Sequence, residues 1–404
     1  MPYHYRIWLG GVALSLLGSQ ITAFGITWSA AGWGGAFAGA VLTAITLPRV
    51  ALLLTGGALA DRVGAWRVMI TADLTMAVAT ALLGAAVLTV GVQPWLLLGI
   101  ALVIGTVDAF HLPSSGSMPR LLVGPESLAR AMAARQAVGQ VAAFAGPSLG
   151  GLVVAGAGPA AAAFVNTGTF LVMAVVLIML RPRVTGAVAL PRGAAPGGGL
   201  RVVRSDPELR RALGLVAAAA GFLLPVPALL VPLLAIQRQW SADAGGLLAG
   251  SVALGMTAVA VTVTVRGASG RPAVAACGGL ALAGGAVLGL AAAPALVIAV
   301  PVAVLVGAGS GLFAAHIGPL ILGGTPETHL ARVQSVVVLA QSVPLLVTNN
   351  VLGALADRLG AGPVLCACAL ALIVTAAAGS SRSGRTMVGS DGDRRGRGPY
   401  REEP

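Results

Sequence analysis

The chain has 404 residues, of which 57% are hydrophobic and only 9% charged, and its mean hydropathy is +0.92. So little polar surface cannot solvate a globule of that size in water, which leaves lipid as the solvent and excludes a large soluble domain. The formal charge of +12 comes without a single lysine, and the basic residues sit singly or in small groups between apolar runs rather than on one face, which argues against a nucleic-acid partner.

A hydrocarbon core about 30 Å thick is crossed by roughly 20 apolar residues of helix. On that measure the apolar runs predict twelve spans, at 7–29, 36–59, 68–90, 95–118, 128–155, 160–180, 212–236, 244–265, 272–292, 295–317, 333–356 and 363–379. The first follows a short polar start and is long enough to stay in the bilayer as its own targeting signal. It carries Gln20, one of few polar residues in the runs, with Gln140, Asn166, Gln341, Asn349 and Asn350.

Span 2 contains Arg49 and span 4 contains Asp108, and a charge at the centre of a bilayer helix costs at least about 2.5 kcal/mol unless it is paired or hydrated. Arg49 lies 12 residues before Asp61 and Asp108 lies 12 before Arg120, so both fall roughly 18 Å from the same membrane face, near the midplane. They are expected to pair. His111 is three residues beyond Asp108 and shares its helix face, and His316 in span 10 is expected to sit opposite. Asp73 in span 3 and Arg135 in span 5 lie nearer that membrane face, within snorkelling reach of water. Span 7 offers Phe222, Pro225, Pro227 and Pro232 but no charge.

The long polar connection from Arg181 to Arg211 divides the chain into two groups of six spans: an N-terminal bundle at 1–181, a linker at 182–211, a C-terminal bundle at 212–379 and a tail at 380–404 expected to be disordered. Within the linker, Leu200–Arg211 reads as a short amphipathic surface helix. With the N-terminus in the cytoplasm, 21 of the 25 basic residues fall in cytoplasmic segments, so both termini and the linker are expected inside. Cys277, Cys366 and Cys368 lie in apolar runs without C-x-x-C spacing, and neither a metal site nor a cofactor is expected.

Internal repeats support this division. Pro125-Glu126-Ser127-Leu128-Ala129-Arg130 before span 5 recurs with one insertion as Pro326-Glu327-Thr328-His329-Leu330-Ala331-Arg332 before span 11, and His111 and Pro113 recur as His316 and Pro319. A further relation is inverted: Gly57-Ala58-Leu59-Ala60-Asp61-Arg62-Val63-Gly64 closes span 2 on one side, and Gly353-Ala354-Leu355-Ala356-Asp357-Arg358-Leu359-Gly360 closes span 11 on the other.

The segment from Gly57 through Asp61, Arg62 and Gly64 to Arg67 resembles the signature loop of the major facilitator superfamily, with one basic position missing. Ser15 to Gln20, Leu47-Pro48-Arg49, Gly146-Pro147-Ser148-Leu149-Gly150-Gly151 and Arg204 to Arg210 are similar to phrases of its siderophore and macrolide exporter branch. The resemblance implies an all-α integral membrane protein with 12 transmembrane helices in two six-helix bundles. It also implies a cytoplasmic latch in which Asp61 meets the start of span 11, and a kinked helix 5 at Gly146, Pro147, Gly150 and Gly151 of the kind found in drug antiporters; the two upstream glycines of that motif are Ala133 and Ala142 here. By resemblance spans 1, 4, 7 and 10 line a central cavity, so Gln20, Asp108, His111, Phe222 and His316 become candidates for the substrate and proton pathway, joined by Arg49 of span 2 as the expected partner of Asp108. The expected function is proton-coupled export of small amphipathic molecules such as drugs, natural products or siderophores, by a monomer in the cytoplasmic membrane. A nutrient importer on the same fold is the alternative. A membrane-embedded enzyme or sensor is more remote, because no G-x-S-x-G, H-E-x-x-H or P-loop pattern occurs.

Overall fold

A computed structural model describes residues 2–180, 204–267, 269–323 and 330–394, and every regular element among them is helical. The N-terminal half comprises α1 (Tyr3–Ala31), α2 (Gly35–Val63), α3 (Ala65–Val90), α4 (Pro94–Leu122) and α5 (Pro125–Leu180). Straight, the 56 residues of α5 would run to about 84 Å, far more than one crossing needs. They are broken at Gly158, whose φ of 78° and ψ of 172° lie outside the helical region, and Pro159 starts the return arm. The arms 125–157 and 159–180 are therefore spans 5 and 6, which is why eleven helices long and apolar enough to cross a membrane make twelve crossings.

The C-terminal half comprises α6 (Pro207–Phe222), a wide π turn (Val226–Leu230), α7 (Val231–Gln237), α8 (Ala242–Arg266), α9 (Pro272–Ala292), α10 (Leu296–Gly323), α11 (Leu330–Leu359) and α12 (Ala361–Arg394). The expected surface helix ending at Arg211 is corrected in part. Residues 200–203 lie outside the described residues, and 207–211 are the first turn of α6 itself. Asp206 caps that turn, accepting from the backbone N–H of Glu208 (2.8 Å) and Leu209 (3.2 Å), and Pro207 occupies the first helical position. At the other terminus the backbone of α12 stays helical to Arg394, beyond the point at which the sequence predicts a disordered tail; no proline interrupts Ser380–Arg394, so a helix already begun in the bilayer can propagate.

The helices alternate in direction. The end of the bundle holding the start of α1 and the linker is called the near end, and the opposite end the far end. Within the N-terminal half, α1 packs on α5, α2 on α4, and α3 on α4 and α5. The near end is pinned by polar bonds from aromatics: the hydroxyl of buried Tyr5 donates to the Ala131 carbonyl (2.5 Å) and Nε1 of half-buried Trp66 to the Leu177 carbonyl (2.9 Å). The halves meet along two seams, α5 on α8 and α2 on α11. Lipid supplies no hydrophobic drive between helices, so such seams depend on small residues that let backbones approach closely.

Candidate functional site

Arg49 and Asp108 are each the middle residue of a 29-residue helix, with 14 residues of α2 or α4 on either side. The expected pair forms, with Arg49 Nη2 donating to Asp108 Oδ2 at 2.7 Å. Gly105, one turn before Asp108, brings the two helices together, because a Cβ there would press into the Ile45 carbonyl. About a third of each side chain is exposed. A paired but part-exposed charge couple at mid-helix favours water over hydrocarbon as the neighbour of this face of α2 and α4.

Beyond the pair the structure departs from the sequence reading. Asp73 does not snorkel but is fully buried, and His111 turns toward it, with Nε2 3.4 Å from Asp73 Oδ1. His316 is not a free imidazole opposite His111. It is buried against its own helix and the α8–α9 turn, with Nδ1 2.8 Å from the Leu312 carbonyl and Nε2 3.1 Å from the Ser269 backbone N–H. Because Nε2 accepts from that N–H, Nδ1 carries the proton and donates to Leu312, so both ring nitrogens are satisfied. Arg135 is held by Ser115, its Nη2 donating to the hydroxyl at 3.0 Å.

A cavity of about 420 Å³ opens within the C-terminal half, lined by α6, the π turn, α8, α10 and α11. Its walls are Val216, Leu223, Pro227, Met256, Phe313, Ile317 and similar groups, and Ser310 and Gln341 are its only polar side chains. Phe222 is not among the lining residues; its neighbours Leu223 and Leu224 are. Val216, Ala219, Ala220 and Leu223 recur at helical spacing along one face, and Phe222 lies off it. Span 7 breaks just beyond. Pro225 and Pro227 have no N–H to donate, so the helix ends with Leu223 and Leu224 both donating to the Ala219 carbonyl (2.8 and 3.1 Å) and resumes through the π turn. Gln20, Arg49, Asp108, His111 and His316 also lie outside this lining. Gln341 was visible in the sequence as a lone polar residue in span 11, but Ser310 gave no signal in a run of glycine and alanine.

The motif in α5 serves the packing on α1 within its own half and the seam with α8. A Cβ on Gly146 would collide with Gln20, one on Gly150 would come within 3.0 Å of Phe24 Cβ and the Ile21 carbonyl, and one on Gly151 would lie 2.6 Å from the Ala242 carbonyl of α8. On α8, Gly246 faces the Pro147 carbonyl in return. The second seam is tied by Asp357 at the end of α11, whose carboxylate accepts from the first backbone N–H groups of α2, Gly35 (2.5 Å) and Ala36 (2.8 Å). Asn350 adds a bond from Nδ2 to the Thr43 hydroxyl (2.7 Å), and Gly353 lies against Gly35 with no room for a side chain. All of these contacts lie toward the far end. At the near end, Gly57 and Asp61 fall on the last turns of α2, and their surroundings, like those of Arg332, lie outside the described residues. Arg62 and Arg67 are exposed.

The sequence profile of the Major Facilitator Superfamily matches residues 8–348. The chain belongs to that superfamily. The multidrug efflux pump Tap of Mycolicibacterium fortuitum is 28% identical to this chain over 245 residues, which are 57% of this chain and 59% of Tap, so the chain aligns with about three fifths of that relative. Among solved structures, an auto inhibited POT family peptide transporter covers 100% of the chain and 99% of its own at a TM-score of 0.73 and 15% identity. The nucleoside transporter NupG has a TM-score of 0.73, 14% identity and coverage of 93% and 99%. A bacterial homologue of the iron transporter ferroportin in its inward-facing state has 0.67, 16%, 94% and 100%. These likenesses show the fold. The superfamily chain is thus a multi-pass membrane transporter and not an enzyme. Its signature loop ends at Gly64, with φ of +97°, and the inverted copy ends at Gly360, with φ of +88°. Both turns favour a residue without a Cβ, so the repeated Gly-Ala-Leu-Ala-Asp-Arg phrase ends in the same kind of glycine turn at both ends of the bundle.

Proposed function

We propose that this transporter exports small lipophilic or amphipathic molecules from the cytoplasm, driven by protons moving inward. The observation that carries the reading is the cavity, about 420 Å³ and apolar except for Ser310 and Gln341. A sugar, peptide or nucleoside arriving there would leave most of its hydrogen-bonding groups unmatched, at roughly 1–3 kcal/mol each, whereas a lipophilic molecule loses little on leaving water. The efflux activity in Tap's name agrees with this direction.

In this reading the near end faces the cytoplasm, and a monomer alternates between closure at the far end, through Asp357, and closure at the near end, through Asp61. The Arg49–Asp108 pair couples the cycle to the proton gradient from the aqueous face of the N-terminal half. Ethidium uptake into proteoliposomes with an acidic lumen tests it: the wild-type protein accumulates the dye above empty liposomes, and Asp108→Asn abolishes the accumulation while expressing normally. Dye moving only with the opposite gradient would turn the assignment to import. Full accumulation by Asp108→Asn would remove that residue from coupling.

A further inference from the structure

Asp73 on α3 is fully buried, and neither carboxylate oxygen has a hydrogen-bond partner. His111 on α4 is the ionisable group that reaches it, with Nε2 at 3.4 Å, an ion-pair distance without hydrogen-bond geometry. His111 shares a helix face with Asp108, whose partner is Arg49. Side-chain exposure falls along this row, from 37% at Arg49 and 33% at Asp108 to 23% at His111 and 0% at Asp73. The row leads from the aqueous face into the interior of the half.

The elements packed on α3 bring few other buried charges among the described side chains. From α4 come His111 and, behind it, Asp108 with Arg49 of α2. From α5 comes Arg135, whose guanidinium is held by Ser115. Arg62 of α2, Arg67 of α3, Arg120 of α4 and Glu126 and Arg130 of α5 are exposed toward the near end. Arg49 and Asp108 neutralise each other, which leaves Asp73 and His111 to balance their own charge. A bare carboxylate in an apolar interior is prohibitively costly, whereas the two groups with one proton between them are neutral in sum. Asp73 lies eight residues into α3, roughly 12 Å from its near end, so a proton held there is well inside the bilayer.

We propose that Asp73 and His111 form an occluded binding site for the transported proton. The proton enters past Asp108, is taken up by the Asp73–His111 pair, resides on the Asp73 carboxyl with His111 neutral while the site is buried, and returns to water when the other conformation hydrates the pair. In this scheme the Arg49–Asp108 pair serves coupling as the entrance, and Asp73 is where the proton rests. This rests on the proton-coupled reading above and names where the proton is carried.

Infrared difference spectroscopy of the purified full-length protein during a pH change reads the site without any cargo. The wild type is expected to show the carbonyl stretch of a protonated carboxylic acid, lost in Asp73→Asn, displaced but present in Asp73→Glu, and retained in Asp108→Asn. Ethidium accumulation in proteoliposomes is expected to be lost in Asp73→Asn and restored at least in part by Asp73→Glu, with size-exclusion profiles confirming that each variant is folded. Should Asp73→Asn prove misfolded, the displaced band in Asp73→Glu decides the matter, and an unshifted band there overturns the proposal. So does a wild type lacking the acid band, a band that survives Asp73→Asn, or proton-driven accumulation that persists in that variant. An Asp73-dependent band in a protein that moves no dye would sink the export reading and leave the proton site standing. Export that stops with Asp108→Asn but not with Asp73→Asn would do the reverse.

Discussion

Asp357 binds the first two described N–H donors of α2 with a formal negative charge, where the positive end of that helix rewards it. Replacing a capping side chain of this kind by alanine costs about 1–2 kcal/mol. Here the cost falls only on the form closed at the far end, so Asp357→Ala is expected to shift the balance of the two forms by roughly tenfold. The alkylation rate of a single cysteine placed at Thr43, in a background without Cys277, Cys366 and Cys368, measures that shift, and an unchanged rate would mean that the carboxylate does not latch the seam. Asp357 could be found in the sequence because its surroundings repeat those of Asp61, and the Arg49–Asp108 pair could be found because mid-span charges of opposite sign need each other. Asp73 could not. Depth along a helix can be counted from a sequence, but the direction in which a side chain points depends on where the neighbouring helix puts its own groups, and His111 sits on the face that meets α3. The same limit hid His316, whose ring is claimed by a turn 47 residues away.

Among the elements, α5 shows how one short motif can serve two contacts. Gly146 and Gly150 admit α1, while Gly151 admits α8, so the helix is held on one side by its own half and on the other by its opposite number. Gly151→Val would drive a branched side chain into the Ala242 carbonyl and the Gly246 Cα. Overpacking of this kind costs about 1–3 kcal/mol, charged to the far-end-closed form, and dye accumulation should fall sharply while the thermal midpoint of the detergent-solubilised protein moves by only a few degrees. A variant that transports normally would show that α5 and α8 need not touch so closely. The span boundaries were legible because lipid demands long apolar runs. The irregular turns were not: the break beyond Leu224 arises from how the carbonyls share the remaining donors when two prolines supply none, while Phe222 is off the cavity wall simply because Val216, Ala219, Ala220 and Leu223 share the helix face that lines it. Proline positions alone mark that a break exists without fixing its register.

For the molecule as a whole, the twelve-crossing topology and its division into halves followed from hydropathy, arginine placement and repeats, and the structure carries each crossing. Reporter fusions test the sidedness directly. An alkaline phosphatase joined after residue 195 in the linker, or at the C-terminus, is expected to stay inactive, while one joined at Trp33 in the α1–α2 turn or at Trp240 in the α7–α8 turn is expected to be active; the opposite pattern would invert the transport direction assigned here. The paired turns at Gly64 and Gly360 lead one step further. In the proposed cycle both gates are built on the same Gly-Ala-Leu-Ala-Asp-Arg phrase, which favours similar strengths and makes the resting protein a balance whose pans carry nearly equal weights. A single charge added or removed between them is then enough to tip it, and the sequence needs no large reservoir of strain to make the cycle turn.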